Sequence, residues 1–133
     1  MVESGKKIIV LDNGANIKVG FAGEKEPREV FPSIVGRPKY KSVTQALNQK
    51  NEYFGCDAMA KRGVLNLEYT FADGVVKSWD DMEKVWDYGF KELRYDPAEA
   101  FGILLMQSCL NTSEKDTEKM VETMFETFGA DKV

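Results

Sequence analysis

Apolar residues open the chain in short runs separated by turn formers. Ile8-Ile9-Val10-Leu11, then Ile17 to Phe21, then Glu29-Val30-Phe31 each read as a strand of a few residues. Asp12-Asn13-Gly14 fills the first gap and Ala22-Gly23 through Pro27 the second, so the three strands are expected to form an antiparallel meander. From Ser33 to Tyr69 the pattern turns polar. A loop from Arg37 to Asn51 holds few large apolar groups, and strand candidates follow at Tyr53-Phe54 and Val64-Leu65-Asn66-Leu67. This stretch predicts a small insertion with a mobile tip.

Ser78 to Arg94 has the periodicity of a helix, with Trp79, Met82, Val85, Trp86, Phe90 and Leu93 recurring every three or four residues. Ser78 and Asp81 make a capping pair, Asp80 and Asp81 place negative charge in the first turn, and Lys91 and Arg94 place positive charge in the last. Phe101 to Met106 is a continuous apolar run, which predicts a strand buried on both faces. Ser113 to Asp116 repeats the capping pattern, Met120, Met124, Phe125 and Phe128 predict one face of a second helix, and Gly129 predicts its end. The order is three strands, insertion, helix, strand, helix. A strand reached through a helix is expected to return parallel to the first by a right-handed crossover, giving a mixed α/β sheet with packed helices.

Composition narrows the chemistry. The 133 residues are 43% hydrophobic and 30% charged, with a net charge of -4 and no basic stretch, so neither nucleic acid nor an anionic membrane is an expected partner. The apolar run after Lys7 is far too short for a signal-peptide core or a membrane span, which reads as a cytosolic chain. There is no histidine, and Cys56 and Cys109 have no metal-binding spacing. Both cysteines read as packing thiols, and any chemistry must rest on carboxylates, lysine, backbone amides or a bound metal.

Several longer words recur in a recognisable order. Leu11-Asp12-Asn13-Gly14, Val19-Gly20-Phe21-Ala22-Gly23 and Val30-Phe31-Pro32-Ser33-Ile34-Val35-Gly36-Arg37-Pro38 come first. Ala60 to Leu65, Trp79-Asp80-Asp81-Met82-Glu83-Lys84-Val85-Trp86, Glu92-Leu93-Arg94 and Met124-Phe125-Glu126-Thr127-Phe128 follow. Collinear over residues 7–129, these blocks resemble the first third of the actin family. The resemblance implies an incomplete ribonuclease-H-like actin fold. Residues 1–32 and 70–133 would be part of subdomain 1, and residues 33–69 would be the inserted subdomain 2, with its mobile loop at about 39–51. It also implies a cytoplasmic, cytoskeletal protein that binds ATP or ADP with Mg in a cleft between two lobes. The second phosphate loop, the glutamine that positions the attacking water and the adenosine pocket would lie beyond Val133.

The first phosphate loop carries over by residue. Asp12 would hold the water shell of Mg, Gly14, Ala15 and Asn16 would offer backbone N–H groups to phosphate, and Lys18 would reach a phosphate oxygen. The family pattern is Asp-Asn-Gly-Ser-Gly, two residues, then Lys. Here Asp12 to Lys18 is one residue shorter and Ala15 replaces the hydroxyl, so a tighter hairpin is expected. Asp73 stands where the family usually has histidine before the glycine matching Gly74. At the tip of the insertion Val43 and Leu47 are the only sizeable apolar groups, which predicts them as the partner-contact residues.

Simpler roles compete with these. Asp-Asn-Gly alone is a hairpin signal, Asp80-Asp81 suit a helix N-terminus, Trp79 and Trp86 suit a core, and Lys39-Tyr40-Lys41 suits a solvated loop. Two functions remain open. One is the N-terminal portion of a filament-forming, nucleotide-binding fold, without ATP hydrolysis of its own. The other is a truncated interaction module that docks on actin or another actin-like assembly through Val43 and Leu47, as a weak cap. In either case the strand at Phe101 to Met106 is expected to present an unpaired apolar edge that favours self-association.

Overall fold

Alternation in the first two strands sets the main sheet. In β1 (Ile8–Asp12) the side chains of Ile9 and Leu11 are buried while Ile8, Val10 and Asp12 lie on the opposite face. β2 (Asn16–Phe21) pairs antiparallel with β1 and buries Ile17, Val19 and Phe21 on the same side. β3 (Glu29–Pro32) adds an antiparallel edge, and β9 (Gly102–Met106) pairs parallel with β1, giving the order β3-β2-β1-β9. Meander and parallel return are both as the sequence predicts. The computed structural model describes residues 6–39, 52–72, 75–106 and 114–133. Val43, Leu47, Asp73, Gly74, Cys109 and Ser113 lie outside them.

Two helices cover the Ile9–Leu11 face. Helix α2 (Trp79–Leu93) starts where the Ser78 hydroxyl accepts the Asp81 N–H and ends at Arg94, whose left-handed φ of 59° closes the last turn. It buries Met82, Val85, Trp86, Gly89, Phe90 and Leu93. Helix α3 (Glu114–Glu126) buries Met120, Thr123 and Met124, and Gly129 at φ 70° ends the turn that follows it. Phe125 corrects the expected face: it is exposed, because the buried stripe runs through Thr123, one step round the helix. Between α2 and β9, Asp96 caps a short 3-10 turn at Pro97–Glu99.

A second, smaller sheet has strand order β5-β4-β6. It comprises β4 (Ile34–Pro38), β5 (Tyr53–Phe54) and β6 (Leu65–Tyr69), with helix α1 (Gly55–Ala60) against it. Ile34, Tyr53, Ala58 and Leu65 form an apolar cluster of its own, while Val35 and Phe54 join the main core. A short hairpin of β7 (Phe71–Ala72) and β8 (Val75–Val76) leads into α2.

Three expectations fail. β9 is not buried on both faces: Leu104 is 52% and Met106 46% exposed, because their face, shared with Val10 and Asp12, has no covering element among the described residues. Its edge is not bare either, since the Ile103 N–H donates to the carbonyl of Lys132 at 2.9 Å. Cys56 is exposed rather than packed.

Candidate functional site

The β1–β2 connection is the place to look for the expected phosphate loop. The last register pair is Asp12 opposite Lys18, so both side chains project from one face of the sheet. Asn16 shares that face two residues before Lys18, and beyond the end of β1 it pairs with β3 instead. Asp12 and Lys18 line a groove of about 290 Å3 together with Val10, Met106 and the Gly23–Pro27 turn. Gly14, Ala15 and Asn16 are not among the residues that line it.

The loop itself is held from behind. The Asn13 N–H donates to the Met106 carbonyl at 2.8 Å, and the Ser33 N–H donates to the Ala15 carbonyl at 2.9 Å. Asn13 is buried, its Oδ1 accepting the indole N–H of Trp86 at 2.9 Å, while its Nδ2 is enclosed without a partner among the described residues. The N–H groups of Gly14 and Ala15 make no hydrogen bond among the described residues. The loop therefore leaves two amide donors without a protein partner among the described residues, and together with Lys18 they are donor types that suit a phosphate. A single carboxylate at Asp12 suits Mg held through its water shell, since Mg keeps several waters and takes other ligands from the phosphates. On the far side of the groove Glu24 is engaged by Arg28 at 2.7 and 2.9 Å, and that bond holds the Glu24 carboxyl below its usual range.

Residues 4–133 match the family model described as Actin. The chain belongs to the actin family. The mixed α/β sheet with its packed helices agrees with the actin fold, and actins in general bind nucleotide with Mg and associate with actin-like subunits. No helix among the described residues is long and apolar enough to cross a membrane.

Sequence reasoning missed the polar cluster that ties the small sheet to α2. Arg37 donates to Asp81 at 2.6 and 3.3 Å and to Glu52 at 2.7 Å, and Lys84 donates to both Glu52 oxygens at 2.9 and 3.0 Å. The Arg37 guanidinium is held protonated far above any working pH, chiefly by its bond to Asp81, and the Lys84 bond holds Glu52 below the usual carboxylate range. Asp81 was legible as a helix-start carboxylate, but its partner lies 44 residues away and no local pattern announces it.

Proposed function

We propose that this chain is the N-terminal portion of an actin-like, filament-forming, nucleotide-binding fold, in which the β1–β2 loop forms one wall of the phosphate site. Residues 33–69 act as its inserted subdomain, and the cytoplasmic cytoskeleton is its setting. The observation that carries this is the register of Asp12 against Lys18, together with N–H groups of Gly14 and Ala15 that make no hydrogen bond among the described residues. Lys18 binds a phosphate oxygen, the two amides orient it, and Asp12 takes the metal's water shell. Mg, when bound, neutralises phosphate charge. Phosphoryl transfer depends on electrostatic stabilisation around the whole transferring group. One lysine and two amides act from a single side, so the isolated 133-residue chain is expected not to hydrolyse ATP.

Two measurements test this. In a hydrolysis assay the purified chain should show no turnover, and turnover that Asp12→Ala abolishes would overturn the non-catalytic reading. In lysine labelling, Mg-ATP should slow modification of Lys18 and leave Lys84 unchanged, whereas equal labelling of Lys18 with and without Mg-ATP would overturn the phosphate-wall reading.

A second reading, association through the sheet, is favoured by the exposure of Leu104 and Met106 beside the edge strand β9. Actin-like subunits, or a second copy of the chain, are the partners it implies.

A further inference from the structure

Among the described residues the small sheet joins the body at three places, each held by a different kind of contact. Its two ends pass side by side at Ser33 and Thr70, both buried, where the Thr70 N–H donates to the Ser33 carbonyl at 2.8 Å and the two hydroxyls share a hydrogen bond. Its apolar junction is narrow. The Tyr88 ring packs edge-on to Phe31 at 5.1 Å, and Gly55, at φ 55°, sits so close that a Cβ there would lie 2.6 Å from the Tyr88 ring. The third is ionic. Asp81 and Lys84, one turn apart on α2, reach out to Arg37 and Glu52 of the small unit, forming a chain of four alternating charges.

We infer that Arg37, Glu52, Asp81 and Lys84 form a salt-sensitive latch that closes the small sheet onto α2. Its release lets that sheet pivot at Ser33 and Thr70 while both sheets stay folded. Three features support it. The small sheet has its own apolar cluster, so it keeps its structure when it leaves α2. A broad shared core would hold the two sheets together at any ionic strength, but among the described residues the apolar crossing is limited to Val35 and Phe54, with Gly55 against Phe31 and Tyr88. The side chains of Arg37 and Lys84 are 41% and 44% exposed, so solvent ions reach the cluster and screen it.

The test uses the full chain carrying Cys109→Ser, with a bimane fluorophore on Cys56. Cys56 follows Gly55, where a Cβ would lie 2.6 Å from the Tyr88 ring, so in the closed state the probe sits near a quenching ring. Fluorescence should be low in dilute buffer and rise as salt approaches about 1 M, where the screening length falls to about 3 Å. Glu52→Gln and Asp81→Asn should each shift the open-to-closed ratio about fivefold toward open at low salt. Far-UV circular dichroism should stay constant throughout, and Tyr88→Leu should abolish the salt dependence. The latch is overturned by fluorescence that neither salt nor both variants change, by a rise that tracks loss of circular dichroism, or by salt dependence that survives Tyr88→Leu.

Discussion

Trp86 shows how a single atom ties the loop to the core. Its ring is fully buried and packs edge-on to Phe128, while its N–H satisfies the buried Asn13 carbonyl. Trp86→Phe keeps an aromatic ring but leaves Asn13 with neither end paired. It should cost about 3 kcal/mol, combining a small cavity with an unsatisfied buried amide. Trp79→Phe, at a partly buried position, should cost less than about 1.5 kcal/mol by the same urea denaturation. The sequence marks Trp86 as core through its spacing, yet its polar partner lies 73 residues away and could not be read from it. Tyr88 carries a second residue-scale expectation. Burial, then the charges of Asp57, Glu92 and Cys56, raise its phenol to about 12. The unfolded chain therefore ionises first as pH climbs above the ordinary tyrosine value, so this contribution to stability is complete below about pH 10. It is lost as pH rises through about 12. Tyrosine absorbance during an alkaline titration should show one phenol ionising late, and Tyr88→Phe should remove that late step.

Among the elements, α2 was the most legible because its evidence is local: one stripe of apolar residues, a capping serine and first-turn carboxylates. Its end holds a cost that the stripe does not reveal. Arg94 occupies the left-handed region that favours glycine, and the turn closes with the Tyr95 N–H reaching back to the Phe90 carbonyl. Arg94→Gly should raise stability by about 0.5–1 kcal/mol, read as a higher thermal midpoint. Elements missed by pattern were short. β4 interrupts Ile34-Val35 with Gly36, which is needed because a Cβ there would come within 2.8 Å of Leu65. α1 spans six residues with one carboxylate and no side-chain cap. The β7–β8 pair did carry a signal, Asp73-Gly74 between two apolar pairs, which is the usual mark of a hairpin. β9 was placed correctly, but its burial depends on what covers the sheet, and a run of apolar residues cannot report that.

At the scale of the molecule, the two faces of the main sheet differ in fate. One is sealed by α2 and α3, while the other leaves Val30, Leu104 and Met106 exposed beside the Asp12–Lys18 groove. Light scattering on the purified chain should therefore detect concentration-dependent association together with dye binding, and Leu104→Glu should reduce both. A monodisperse wild-type monomer with a sharp two-state thermal transition would contradict this. The candidate groove was only partly legible: Asp12 and Lys18 stand out as residue types, but their opposition follows from where β1 stops and β2 turns to β3. The meeting of Ser33 and Thr70 has one more consequence. Where residues 34–69 enter and leave the body, the two chain ends lie side by side and are joined by a backbone hydrogen bond. A turn bridging those ends would keep the chain path of the large sheet, so the small unit can vary in length at its far side while Val35, Phe54 and the Arg37–Asp81 pair keep it seated on the body.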